Sequence, residues 1–252
     1  MSEAAVSGSP LSGRFSRRLI EGALCAILIV VVAGRLDWEV VWTNRSLLLR
    51  GAINSWLFAM GSILIGALLG TILAASRVYA PIPVRYLIAA LIEIIRATPQ
   101  LIIILGTFFV LPELIGLALD PNLSALIALT VIASAYLAEV VRAGLHSVPR
   151  IQYETGYTTG LSPSQIFCSI TLPQALRNMV PALIATFVMM FKTTTLVYVI
   201  GVTEFFEASS IVNSREHAPY TIYALLGAYY FLCCYLLSSF LRWIDPKYTL
   251  QN

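Results

Sequence analysis

Polar positions along this chain are sparse, and the apolar ones come in long unbroken runs rather than in alternation. A helix that crosses a bilayer needs about 20 mainly apolar residues. Six segments approach that requirement: Leu19 to Gly34, Ala52 to Ala75, Val84 to Leu111, Leu123 to Leu145, Val180 to Gly201 and Pro219 to Trp243. None shows the period-2 pattern of barrel strands, so the chain reads as an all-α membrane protein of about six transmembrane helices. The first run is short and follows Arg14, Arg17 and Arg18. With no clean small-residue cleavage site before Arg35, it reads as a retained helix rather than a signal peptide. The second run carries Gly61, Gly66 and Gly70 with Ala67 and Ala74, a spacing that lets another helix approach closely in lipid. Glu93, Arg96 and Pro99 interrupt the third run, Glu139 and Arg142 close the fourth, and Lys192 lies inside the fifth.

Composition agrees with a bilayer as solvent. Of the 252 residues 58% are hydrophobic and 12% charged, against roughly 25% charged in a soluble domain. Disorder is excluded by the same figures. The net charge of +3 is not gathered on a soluble segment, so no nucleic-acid partner is implied. Its distribution instead predicts topology. Arg14, Arg17, Arg18, Arg77, Arg85, Arg142, Arg150, Arg177, Arg242 and Lys247 fall on one side of the predicted membrane, and Arg35, Arg45, Arg50 and Arg215 on the other. Both termini are therefore expected in the cytoplasm. Cys25, Cys168, Cys233 and Cys234 have no metal-site spacing, so neither a disulfide framework nor a metal site is expected. His146 and His217 fall on opposite sides of the membrane and no nucleophile–base set appears, so no catalytic residues are assigned and the chain is not read as an enzyme.

The long segment between the fourth and fifth runs is the most informative. Pro149 and Arg150 open a short helix and Gly160 is a natural stop. Ser162-Pro163-Ser164-Gln165 then reads as a second helix start with a capping box, ended by Leu172-Pro173. Such a pair of short helices on the cytoplasmic face can pack into a groove on another protein. A solvated connector is the plainer alternative. The chain has no G-x-x-x-x-G-K-[ST] sequence, so no phosphate-binding loop of its own is expected.

Glu154-Thr155-Gly156, then Gly160 after three residues, then Ile170-x-Leu172-Pro173 after nine, resembles the EAA loop of bacterial ABC importer permeases. Thr155 and Gly156 stand where that pattern usually has alanines; both are small, though glycine weakens a helix by about 1 kcal/mol. Three further segments are similar to the polar amino-acid permeases, the histidine/glutamine/glutamate type: Arg96-Ala97-Thr98-Pro99-Gln100-Leu101, Tyr136 to Arg142 with Val148-Pro149, and Phe191-Lys192-Thr193-Thr194-Thr195-Leu196 with Val199-Ile200-Gly201-Val202. The resemblance covers roughly 52–243. It leaves residues 1–51 as an extension with an extra helix and outer loop, and 244–252 as a cytoplasmic tail.

The resemblance implies a type I importer bundle in the bacterial cytoplasmic membrane. Its implied partners are a dimer of ABC ATPase subunits that bind ATP and magnesium, a second permease subunit, an external solute-binding protein and membrane lipid. Within the coupling loop, about 146–173, Glu154, Thr155, Gly156, Gly160, Leu172 and Pro173 are the residues expected to couple to the ATPase. Arg96, Thr98, Lys192, Thr193 and Thr194 are expected along the substrate pathway. Charges at membrane depth are costly and usually functional. Glu93 with Arg96, and Glu139 with Arg142, are three apart and can pair on one helix face, as structural ion pairs or as substrate contacts. Lys192 has no acid within four residues. It is expected to meet a substrate carboxylate, with Arg96, or to pair with Glu93 or Glu139 on a neighbouring helix. The family often places an acid after this lysine; here Thr193 is neutral, which favours acidic or neutral polar amino acids as cargo. The outer loop from Gly201 to Ala218 reads as an amphipathic gate, a contact for the binding protein or a plain connector. A secondary transporter driven by an ion gradient would explain the spans and buried charges, but not the EAA spacing. A scaffold would leave Arg96 and Lys192 unexplained.

Overall fold

The computed structural model describes residue 34 and residues 36–244. The expected first helix, Leu19 to Gly34, and the tail after 244 lie outside the described residues, apart from Gly34. After a short helix α1 (Trp38–Thr43), whose first amides are capped by Asp37, comes α2 (Arg45–Tyr79). Next are α3 (Ile82–Ala97), α4 (Gln100–Leu105), a π-helical turn (Gly106–Val110) and α5 (Leu111–Ile115). They are followed by α6 (Pro121–His146), α7 (Arg150–Thr158), α8 (Pro163–Ile166), a second π segment (Phe167–Thr171), α9 (Leu172–Thr193) and a 3₁₀ segment (Thr194–Ile200). Helices α10 (Phe205–Glu216) and α11 (Pro219–Ile244) complete the described chain.

Among the described residues four stretches are long and apolar enough to span a membrane, and the bent pair α3 with α4–α5 makes a fifth. The core span is α6: its small residues Ala125, Ala128, Ala133, Ala135 and Ala138 are fully buried. Close approach to α2 explains this. A Cβ on Gly66 would stand 2.6 Å from Ala133 Cβ, and one on Gly70 2.8 Å from the Ser134 carbonyl oxygen. The glycine–alanine stripe foreseen in the second run is the seam between these two helices. The opposite side of α2, with Leu49, Ile53, Leu57, Leu64 and Leu68, is exposed, as a lipid-facing surface must be.

Three boundaries differ from expectation. The second span starts at Arg45 and runs through position 52, so the division drawn at 51/52 falls inside α2. The third run is not one helix but two, meeting at 108°. Pro99 has no N–H to donate and pushes Thr98 into an extended conformation (ψ 135°), which stops α3; Thr98 Oγ1 then donates to the Ile94 carbonyl at 2.7 Å. Finally, Leu172-Pro173 does not end a helix. The π segment at Phe167–Thr171 shifts the hydrogen-bond register just before Pro173, so the missing donor falls at the junction and the rod continues from Pro163 to Ile200.

Candidate functional site

At one end of the bundle, α7 is a short exposed helix held rigidly against the spans. The Ser162 hydroxyl accepts from Gln165 N, and Gln165 Oε1 accepts from Ser162 N at 2.9 Å, so the expected capping box is formed. Gly160 ends α7 in the left-handed region (φ +77°), with Leu161 N donating to the Gly156 carbonyl at 3.1 Å. Gly156, expected on the docking surface, is instead buried and turned inward. A Cβ there would lie 2.7 Å from Ile166 Cγ1, which explains glycine where an alanine would favour the helix. Leu172 is half-buried, and Pro173 is exposed at the start of α9. A second clamp joins the α6–α7 corner to α9: Asn178 Nδ2 donates to Ser147 Oγ at 2.8 Å, and Val148 is buried with Ala175 and Met179. The outward face of α7 presents Ile151, Glu154, Thr155 and Tyr157 to solvent. Glu154 pairs with Arg150 at 3.1 Å; an exposed pair of this kind adds only about 0.3–0.5 kcal/mol. Ile151 and Tyr157 are bulky apolar side chains left exposed on this small polar helix.

Deeper in the bundle, Glu139 forms its expected pair with Arg142 and a second, unforeseen one with Arg77 of α2 at 3.1 Å. The second arginine closes a three-residue ion cluster between α2 and α6. Arg77 was readable only as a loop cation, because its partner lies 62 positions away.

The proline break carries the other group of candidates. Arg96 lies 3.6 Å from Glu93 and stacks its guanidinium over the Tyr136 ring at 5.6 Å. Gln100, the first residue of α4, accepts from Thr193 Oγ1 at 2.9 Å and so ties the break to the end of α9. Thr193 and Thr194 are buried, and the Thr194 hydroxyl donates to the Phe191 carbonyl at 2.8 Å. Lys192 points elsewhere. It is exposed and forms no ion pair with Glu93 or Glu139, so the interhelical pairing considered for it is not made. Instead it lines two adjoining grooves of about 440 and 580 Å³ with Val188 and Ser238, and Tyr230 and Tyr235 join the wall of the smaller. Arg96 is not part of either wall. The successive residues 192 and 193, about 100° apart on the helix, thus face different neighbours.

Sequence reading placed Glu204 only among the acids of the outer loop, with Glu207 and Glu216, and gave it no buried role. It is fully buried and caps α10, accepting from Phe206 N (2.9 Å), Glu207 N (3.0 Å), Tyr230 Oη (3.0 Å) and Ser55 Oγ (3.2 Å). Burial pushes its carboxyl above the ordinary glutamate value, against the pull of these donors. Around it, Phe205, Phe191, Tyr229 and Tyr230 form an aromatic cluster, and Gly51 admits α10 at a distance a Cβ would block (2.7 Å to Ala208 Cβ). The Gly201–Ala218 segment is therefore more than a plain connector: it holds a folded helix packed on α2 and α11. No sequence signal marks this glutamate, because its partners come from residues 26 and 149 positions away.

A bundle of four spans and a fifth broken at a proline, with small-residue seams around α6 and a short helix seated outside it, is the architecture of a membrane-embedded subunit. The chain belongs to the family of binding-protein-dependent transport system inner membrane components, whose model matches residues 62–250. It is 38% identical over 192 residues to the probable glutamine ABC transporter permease protein GlnP of Bacillus subtilis (strain 168), covering 75% of this chain and 87% of that relative. The glutamate/aspartate import permease protein GltK of Escherichia coli O6:H1 is 30% identical, with 82% and 96% covered. Among solved structures, an amino acid ABC transporter crystallised with histidines superposes with a TM-score of 0.78 at 26% identity, over 84% of this chain and 99% of that one. The methionine ABC transporter MetNI in an inward-facing form shares the fold, with a TM-score of 0.62 at 20% identity over 78% of this chain and 95% of that one. The family consists of transport subunits that are not themselves catalytic.

Proposed function

We propose that this chain is the membrane-spanning subunit of an ATP-driven importer that passes polar L-amino acids from an external solute-binding protein into the cytoplasm. ATP and magnesium are held by separate ATPase subunits docked on α7, beside a second permease subunit, identical or homologous. The observation that carries this reading is the construction of α7: solvent-facing Ile151, Glu154 and Tyr157 on a helix that Gly156 and Ser147 fix to the spanning rods. A push on that face is transmitted to α6 and α9 because neither contact has slack. In this scheme Glu154, Thr155 and Gly160 meet the ATPase, while Gly156, Leu172 and Pro173 carry the displacement behind it. Both chain ends lie in the cytoplasm, on the α7 side.

The cargo reading leans to acidic or neutral polar amino acids. Thr193 no longer supports it, since that hydroxyl is buried against Gln100. The support comes from the exposed Lys192 ammonium, which would repel a cationic side chain, and from the glutamine and glutamate/aspartate permeases among the relatives. The test is uptake of labelled glutamate, glutamine and arginine by proteoliposomes containing the complete importer and its binding protein. Uptake of the first two that requires ATP is expected, and Lys192→Gln should reduce it about tenfold, the smaller end of what a charge-assisted hydrogen bond contributes. Exclusive arginine uptake contradicts the cargo reading. Uptake driven by an ion gradient without ATP would return the secondary-transporter alternative.

A further inference from the structure

Two cavities lie at the α7 end of the bundle, apart from the proline break; Tyr153 of α7 and Leu172 line the smaller. The larger, of about 680 Å³, is lined by Arg77, Arg85, Arg142, His146 and Tyr86. The smaller, of about 430 Å³, has an apolar wall that includes Ala75, Leu145, Leu176 and Met179. They adjoin: Val78, Arg142 and His146 line both. Glu139 neutralises part of the cationic side by pairing with Arg77 and Arg142, but three arginines face one carboxylate, and among the described residues Arg85 has no counter-ion. Beside the cationic cavity, Ile82, Tyr86 and Leu87 are exposed apolar side chains on α3, the surface a bilayer covers.

A cationic chamber opening into an apolar one beside the lipid-facing surface is complementary to a single molecule carrying an anion at one end and hydrocarbon at the other. We infer that these joined cavities form a binding site for an anionic phospholipid of the leaflet on the α7 side, with its phosphate among Arg77, Arg85 and Arg142 and an acyl chain in the apolar cavity. Basic pockets between spanning helices at the cytoplasmic surface suit such headgroups. Hydrocarbon in the second cavity would also remain out of water, which a free phosphate cannot exploit. The site wedges between α2, α6 and the start of α9, the elements that α7 moves, so its occupancy would bear on coupling.

The test places the assembled importer in nanodiscs and measures by electron spin resonance how spin-labelled phosphatidylglycerol partitions to the protein relative to spin-labelled phosphatidylcholine. A clear preference for phosphatidylglycerol is expected. Arg85→Ala should lower that preference about fivefold, the equivalent of ~1 kcal/mol for one basic side chain near an anionic surface. Arg85 is exposed and forms no ion pair among the described residues, so this variant leaves the Glu139 cluster intact. Ala75→Phe, which fills the apolar cavity without touching a charge, should lower the preference as well. No preference in the wild type, or an undiminished one in either variant, overturns the assignment. Displacement of the labelled lipid by inorganic phosphate would overturn it too, in favour of a soluble anion.

Discussion

Replacing Gly156 with valine is expected to reduce ATP-driven uptake by about tenfold or more while leaving the chain in the membrane. The physical reason is local. Any Cβ at this position starts 2.7 Å from Ile166 Cγ1 and 3.0 Å from Ile166 Cδ1, closer than atoms can pack. To relieve the collision the Ile166 side chain must leave its buried position or α7 must lift away from α8 and the π segment. Overpacking of this kind costs roughly 1–3 kcal/mol, and the relief opens slack in the contact meant to transmit motion. Even alanine, which favours a helix over glycine by about 1 kcal/mol, should impair transport, because the obstacle is the Cβ itself. The clash has a single main source, so Gly156→Ala combined with Ile166→Ala should recover part of the activity lost by Gly156→Ala alone. Such non-additivity is expected of residues in direct contact. Uptake and ATP hydrolysis measured together on the same proteoliposomes check the outcome: hydrolysis should persist better than uptake. Normal uptake in Gly156→Val would show that α7 need not be seated on the π segment.

The second large effect concerns Glu204. Glu204→Ala removes the cap of α10 and leaves Tyr230 and Ser55 without their shared acceptor. Loss of a helix cap costs about 1 kcal/mol, and each hydrogen bond to a charged group contributes roughly 1.5–3 kcal/mol. A destabilisation of at least ~3 kcal/mol is therefore expected, read as a lowered midpoint in detergent unfolding. The carboxyl also gives stability a pH dependence. Its folded pKa is raised by burial, so the native state holds the proton more tightly than the unfolded chain does. The associated stabilisation is complete below the unfolded value of about 4.3 and is lost as pH rises through the folded value. Glu204→Gln is neutral throughout. The stability of the wild type relative to that variant should therefore fall as pH rises from about 4; a constant difference would show that Glu204 does not titrate in the folded protein.

What could be read in advance was whatever is encoded by local spacing. The apolar runs located the five described spans, the Gly66–Gly70 spacing marked the face that α6 covers, and the Ser162–Gln165 capping box and the Gly160 stop stand where the residues call for them. The membership drawn from the Glu154 to Pro173 spacing agrees with the family match over 62–250. The misreadings share a cause, which is contact between distant positions or a hydrogen-bond register that composition does not reveal. Leu172-Pro173 has the form of a helix stop, yet five π-helical residues before it absorb the missing donor. Gly156 looks like a weak alanine until Ile166 is brought against it. Lys192 and Thr193 are adjacent in sequence and so were assigned to one pathway, but the helix turns them toward different neighbours, one toward Tyr230 and the other toward Gln100. Glu204 has the composition of a surface charge and becomes the most buried carboxylate of the described chain only once α2, α10 and α11 meet.

The central claim is that force enters this bundle through the outward face of α7. A photoreactive benzophenone side chain placed at position 157, in purified and transport-active importer, tests it directly, with position 223 at the exposed start of α11 as the comparison. On illumination, position 157 should join this chain to the ATPase subunit, and position 223 should not. A complex that transports normally, yet yields no such product from position 157, would contradict the claim.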